Sequence, residues 1–152
     1  MILYTHSITP RLQYIADFIA KELQTGTIKV TASREEFNNA GDNKINYSDN
    51  RIAEAEIWIR PHGLLFENGI QEQSIQCFEA NGNKAFFKTQ GDFPFDILAA
   101  SFYLLSRYEE YLPHSKDKYG RYAHENSLAY KEKFLNLPLV NIWLQNFKQL
   151  IS

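Results

Sequence analysis

The stretch that decides the fold is residues 2–31, which read ILYTHSITPRLQYIADFIAKELQTGTIKVT. Its first four residues form a short apolar run, which is typical of a buried strand. Thr9 is a favourable helix N-cap and Pro10 is tolerated at the first helical position, so this pair predicts the start of a helix. Apolar residues then recur at helical spacing up to Leu23, and residues 28–31 alternate as a second strand. Strand, helix and strand in this order predict an α/β fold.

A short helix and two further strands are predicted before the middle of the chain. Ser33 and Glu36 form a capping-box pattern, which predicts a short helix that runs to about residue 40. Residues 44–47 (Lys-Ile-Asn-Tyr) and 56–60 (Glu-Ile-Trp-Ile-Arg) are predicted strands, and Pro61 ends the second of them.

The rest of the chain contains a predicted hairpin and two longer helices. Asn81-Gly82 lies between two apolar runs, which predicts a hairpin within residues 74–88. Residues 96–112 are predicted as one long helix, and a last helix is predicted from about Pro138. We therefore expect a single α/β domain with a small mixed sheet of about five strands flanked by helices.

Length, charge and cysteine content exclude several classes of protein. The chain has 152 residues, close to the usual size of one domain, and a formal net charge of −2. That charge argues against nucleic-acid partners and against binding to a membrane surface. No window of about 18 apolar residues predicts a membrane span, and no signal peptide is visible. The single cysteine, Cys77, cannot form an internal disulfide, so we expect a cytoplasmic protein.

No complete catalytic, metal-binding or phosphate-binding motif occurs in the sequence. Gly-x-Gly-x-x-Gly, the phosphate-binding loop motif and Gly-x-Ser-x-Gly are all absent. No two histidines stand four residues apart and no two aspartates are adjacent; the histidines are His6, His62, His114 and His124. We therefore expect neither a metal nor a cofactor in this chain, and the motifs leave open whether it is an enzyme.

Arg60 and His62 are the first pair of candidate binding residues. They lie at the end of the clearest predicted strand of the first half, in the sequence Arg60-Pro61-His62-Gly63. Ligands of open α/β sheets bind outside the carboxyl ends of the strands, where both side chains could reach them. The alternative is a plain turn made by the proline and the glycine, with Arg60 in solvent.

A second set of candidates lies at the end of the long predicted helix and in the polar segment after it. Arg107 and Glu110 are three residues apart and can pair on a helix. Glu109 and Glu110 lie close to the helix C-terminus, where negative charge is unfavourable, so we expect other groups to hold them. Arg121 and Tyr122 are nearby in the sequence and could do so. This arrangement predicts a structural clasp between helix and loop, with ligand binding as the alternative.

Several stretches resemble the N-terminal region of bacterial polysaccharide deacetylase family proteins. The most specific is FDILAASFYLLSRYEEYLP at residues 95–113. The shorter matches are Asp117-x-x-Gly120-Arg121-Tyr122, Ser127-Leu128-Ala129-Tyr130, Lys44-Ile45-Asn46-Tyr47-Ser48 and Gly63-Leu64-Leu65-Phe66-Glu67. The resemblance covers about two-thirds of the chain.

In that family the region precedes a carbohydrate esterase domain that removes acetyl groups from N-acetylated sugars. The resemblance implies a divalent metal, usually zinc, held in that domain by an Asp and by the two His of a His-x-x-x-His motif, with a neighbouring Asp as general base. This chain has neither the Asp-Asp pair nor His-x-x-x-His, so no catalytic residue can be assigned to it.

The resemblance leads to one preferred hypothesis of function. Residues 1–152 are expected to be one accessory domain of a longer deacetylase-like hydrolase of carbohydrate metabolism, whose zinc-dependent catalytic domain would follow Ser152. The accessory domain would pack on that C-terminal domain or help to bind the glycan. Two alternatives remain: a self-contained small-molecule enzyme with a site near Arg60 and His62, and a protein–protein interaction module.

Overall fold

A computed structural model of the chain describes residues 1–24, 26–41, 43–52, 56–106, 108 and 139–151. Within these residues it has six strands: β1 (Ile2–Thr5), β2 (Lys29–Thr31), β3 (Lys44–Tyr47), β4 (Ile57–Trp58), β5 (Phe78–Ala80) and β6 (Asn83–Ala85). The α-helices are α1 (Pro10–Leu23), α2 (Arg34–Asn39), α3 (Ile97–Leu105) and α4 (Leu139–Ile151), and a 3₁₀ turn covers Leu64–Phe66.

The strands form two separate sheets. Four of them form a parallel sheet in the order β2-β1-β3-β4, and β5 and β6 form an antiparallel hairpin. The predicted α/β fold class is therefore confirmed, but the parallel and antiparallel strands do not merge into one mixed sheet. The reason lies at the outer edge of β4, where residues 90–92 pair with residues 58–60 through an isolated bridge between Ile59 and Gly91. This short pairing covers the edge and leaves no room there for another strand.

The central strand β1 is buried on both faces, as parallel sheets usually are. Leu3 belongs to the main core, which also contains buried residues of α1, α3 and α4. Ile2 and Tyr4 point to the opposite face and pack with Phe37 of α2 in a second, smaller cluster. Helices thus cover both faces of the sheet.

The predicted start of α1 is confirmed in its local geometry. The Thr9 hydroxyl accepts a hydrogen bond from the backbone N–H of Leu12 at 3.1 Å, and Pro10 is the first helical residue. The hairpin turn is confirmed as well. Asn81 and Gly82 both have positive φ angles, of 54° and 81°, which is the geometry of a two-residue type I′ turn.

The prediction of one unbroken helix over residues 96–112 is wrong at Ser106, and residues 107 and 109–112 lie outside the described residues. α3 ends at Leu105, and Ser106 caps it. Tyr108 is buried, and its hydroxyl accepts a hydrogen bond from the Gln71 N–H at 2.6 Å and donates one to the Gln71 carbonyl at 2.9 Å. These bonds fix Tyr108 against a distant loop just after the end of α3.

α4 confirms the helix predicted after Pro138. Trp143 and Phe147 are buried, and the Trp143 indole donates a hydrogen bond to the Lys84 carbonyl at 2.9 Å. The Trp143 ring also lies against Phe86 and Phe95, with ring centroids 5.5 and 5.1 Å away. α4 is thereby tied to the hairpin and to the residues before α3. Among the described residues, no helix is long and apolar enough to cross a membrane.

Candidate functional site

The strand order creates a switch point between β1 and β3. The chain leaves β1 through α1 to β2 on one side, whereas β3 is followed by β4 on the other side. Because the connections after two adjacent parallel strands diverge, a crevice opens beyond their carboxyl ends, and ligands of open α/β sheets bind in such crevices.

A surface depression of about 170 Å³ lies at this switch point, and we call it the carboxyl-edge crevice. Its walls come from β1 and the loop after it, from the first residue of α2, and from the loop after β3. The lining residues are Tyr4, His6, Arg34, Ser48, Asp49 and Asn50.

The loop after β3 is held by its own hydrogen bonds. The buried Asn46 amide donates to the Asn50 carbonyl at 2.7 Å, and the Ser48 hydroxyl donates to Asn46 Oδ1. The indole of Trp58 donates to the Ser48 carbonyl at 2.8 Å. These bonds fix the backbone of the loop and leave the side chains of Asp49 and Asn50 exposed.

The crevice presents charged groups of both signs. Arg34 Nε donates to the Tyr4 hydroxyl over a long 3.4 Å contact. The Asp49 carboxylate lies 4.0 Å from Arg60 Nε. The exposed His6 ring packs on Phe66, with ring centroids 4.4 Å apart. The crevice can therefore donate and accept hydrogen bonds, which suits a polar ligand.

In the structure, the side chains of Arg60 and His62 contact different residues. Arg60 approaches Asp49 and so reaches the crevice loop. The His62 ring stacks on Phe87 with ring centroids 3.9 Å apart, and this partial burial lowers the pKa of His62 while the charge of Glu67 opposes the change. The backbone N–H of His62 donates to Asp96 at 2.8 Å.

A buried carboxylate joins the elements around the site. Asp96 Oδ2 accepts hydrogen bonds from the Tyr47 hydroxyl at 2.6 Å and from His62 N–H, while Oδ1 accepts from Ala99 N–H at 3.0 Å. Asp96 thus connects β3, the loop after β4 and the start of α3. Burial raises the pKa of Asp96 to about 6, although the hydrogen bonds from Ala99, His62 and Tyr47 act in the opposite direction. Burial and the neighbouring Asp96 carboxylate also raise the pKa of Tyr47.

The second set of predicted site residues lies outside the described residues. Arg107, Glu109, Glu110, Arg121 and Tyr122 all belong to this set. The clasp between helix and loop therefore stays a prediction. In the part of the chain that is described, no group of three or more His, Cys, Asp or Glu side chains could hold a metal ion.

Sequence reasoning did not identify the crevice residues Tyr4, His6, Arg34, Asp49 and Asn50 as a site. The residues after the strands at 2–5 and 44–47 lie at carboxyl ends of the sheet, just as Arg60 and His62 do at the strand at 56–60. That these two strands are neighbours is a property of the strand order, which one sequence does not reveal.

The model of a family of unknown function, DUF7033, matches residues 1–152. No curated protein and no solved structure matches the chain. Since the family match spans the full sequence, the chain belongs to the family of unknown function DUF7033.

Proposed function

We propose that this chain is a non-catalytic accessory domain of a polysaccharide deacetylase-like protein, in which it helps to bind the glycan. The observation that carries the proposal is the carboxyl-edge crevice, which combines donor and acceptor side chains at the switch point of the sheet. The resemblance of residues 95–113 to the N-terminal region of those deacetylases supports the assignment to that class.

The chemistry of the crevice favours a sugar. Sugar hydroxyls both donate and accept hydrogen bonds, and they need partners of both kinds. Asp49 offers an acceptor, Asn50 offers a donor and an acceptor, and Arg34 offers donors. The volume of about 170 Å³ is smaller than the about 300–1,000 Å³ that is usual for drug-sized ligands, so the crevice suits one unit of a longer chain.

The proposed partner in the same protein is a deacetylase domain, which would hold the catalytic zinc. The residues of this chain do not fit that zinc site, because its sequence lacks both the Asp-Asp pair and His-x-x-x-His. The role proposed here is therefore confined to binding and orienting the glycan. A cytoplasmic location is proposed from the single cysteine, Cys77, since proteins of oxidising compartments commonly carry disulfides.

Binding is tested by titrating the 152-residue chain with a tetramer of N-acetylglucosamine and following its backbone amides by NMR. We expect chemical-shift changes at residues 48–50 and at His6. Asn50→Ala should weaken binding about fivefold, because it removes one or two hydrogen bonds without affecting the Asn50 carbonyl that holds the loop. Asn68→Ala, which changes an exposed asparagine outside the crevice, is the control and should bind as the wild type does. Shifts confined to residues outside the crevice would contradict the proposal.

The alternative of a self-contained enzyme is tested by an assay of the same chain. We expect it to release no acetate from the N-acetylglucosamine tetramer above the blank, with or without added zinc. The prediction follows from the placement of His62, whose ring stacks on Phe87 and which is not among the residues that line the crevice. Turnover that disappears in His62→Ala would contradict the accessory role and favour a catalytic site near Arg60.

A further inference from the structure

Among the described residues, the carboxyl-edge crevice has one more positive than negative charge. Asp49 is the acidic side chain among the lining residues, and Arg60 lies 4.0 Å from it, so its charge is matched. Arg34 also lines the crevice, but no carboxylate of the described residues lies within 4.0 Å of its guanidinium. Within the described part of the chain, one positive charge is therefore left over where the ligand would bind.

The geometry of Arg34 leaves its terminal nitrogens available. The contact with the Tyr4 hydroxyl uses Nε, and across the described chain the guanidinium makes no other hydrogen bond. Tyr4 is itself buried at the end of β1, so it provides a fixed point against which the side chain rests. The free Nη1 and Nη2 atoms form the planar fork that binds a carboxylate through two parallel hydrogen bonds.

His6 supplies a further polar group on the same wall. Its ring is oriented by the contact with Phe66, and its ring nitrogens have no hydrogen-bond partner within the described residues. Asp49 and Asn50 stand in the loop after β3 that also lines the crevice, and their exposed side chains suit hydroxyl groups.

We propose that the sugar unit bound in the crevice carries a carboxylate that Arg34 binds with help from His6, so that the ligand is an acidic polysaccharide containing uronate units. This inference rests on the proposed glycan binding and adds the class of glycan. Asp49, whose charge Arg60 matches, then contacts hydroxyl groups rather than repelling the ligand.

The test compares two tetrasaccharides that share the N-acetyl group and differ in charge. One alternates N-acetylglucosamine with glucuronate, and the other is the neutral N-acetylglucosamine tetramer; both are titrated into the 152-residue chain. We expect the acidic tetrasaccharide to bind about tenfold more tightly and its binding to weaken as NaCl is raised. Arg34→Gln should remove that advantage, and Arg34→Lys should keep part of it because the charge remains but the fork is lost.

Lys21→Gln is the matched control, since it removes one exposed positive charge in the last turn of α1 and should leave both affinities unchanged. Unfolding midpoints of all variants establish that they fold. Equal affinity for the two tetrasaccharides, unaffected by Arg34→Gln, would overturn the acidic ligand and leave glycan binding standing. If neither tetrasaccharide binds, both proposals are overturned. Competition by inorganic phosphate as strong as that by glucuronate would overturn the requirement for a sugar.

Discussion

Asp96→Ala is expected to lower the free energy of unfolding by about 3 kcal/mol at pH 7. The substitution removes the acceptor of three hydrogen bonds, and it leaves the Tyr47 hydroxyl and the N–H groups of His62 and Ala99 without their partner. Relief from burying a charged carboxylate offsets part of this loss. Denaturant unfolding followed by the fluorescence of Trp58 and Trp143 measures the effect.

Tyr47→Phe is the milder companion variant. It removes only the hydroxyl that donates to Asp96 at 2.6 Å and should cost about 1.5 kcal/mol, as is usual for a hydrogen bond to a charged group. A loss below about 1 kcal/mol for Asp96→Ala would show that water replaces the carboxylate and that Asp96 does not hold the three elements together.

The contribution of Asp96 to the free energy of unfolding should also increase as the pH falls. The pKa of Asp96 is raised from 3.8 to about 6 in the folded protein, so folding takes up a proton between these values. The associated stability is fully present below about pH 4 and is lost as the pH rises through about 6. A pKa difference of about two corresponds to about 3 kcal/mol, so the gap between wild type and Asp96→Ala should widen by about that amount from pH 7 to pH 4. A gap that is constant over this range would contradict the raised pKa.

Gly91→Ala is expected to destabilise the fold by about 3 kcal/mol. Gly91 has a φ angle of 152°, which side-chain-bearing residues rarely adopt, and an added Cβ would lie 2.6 Å from the backbone oxygen of Trp58. Because that oxygen belongs to β4, the clash cannot be relieved by rotating a side chain. The bridge between Gly91 and Ile59 should open, and Arg60 should lose its backbone hydrogen bond to Gln90.

Gly82→Ala separates the two causes of this effect. Gly82 also has a positive φ angle, of 81°, but no atom lies within 4 Å of the position of an added Cβ. Its replacement should therefore cost only about 1 kcal/mol, from backbone strain alone. Thermal unfolding of the two variants side by side makes the comparison, and equal losses would mean that the contact with Trp58 is not what excludes a side chain at Gly91.

Local chemistry made much of the fold predictable. The capping residue Thr9, the hairpin pair Asn81-Gly82 and the alternation at residues 28–31 each specify a conformation through their nearest neighbours, and each prediction is confirmed. The end of α3 at Leu105 was not predictable in this way; Tyr108, just beyond it, is bonded to Gln71, which is 37 residues away in the sequence. Contacts of that range do not appear in a local pattern.

The candidate site was predictable only in part. Arg60 was identified because it ends a predicted strand, and the structure brings it close to Asp49. Arg34 was not identified, since it stands at the start of a short helix, and it lines the crevice beside Tyr4 of β1, which is 30 residues away in the sequence. Which loops share an edge depends on strand order, and strand order depends on how the whole chain packs.

The residues that hold the loop after β3 and the residues that it exposes should differ in how well they tolerate substitution. Asn46, Ser48 and Trp58 set the path of the backbone, while Asp49 and Asn50 contribute only exposed side chains to the crevice. Evolution can therefore replace the latter two without disturbing the scaffold, since surface substitutions usually change stability by about 0.5 kcal/mol or less. Single substitutions at Asp49 or Asn50 would thus change the polar groups of the crevice while the framework stays the same.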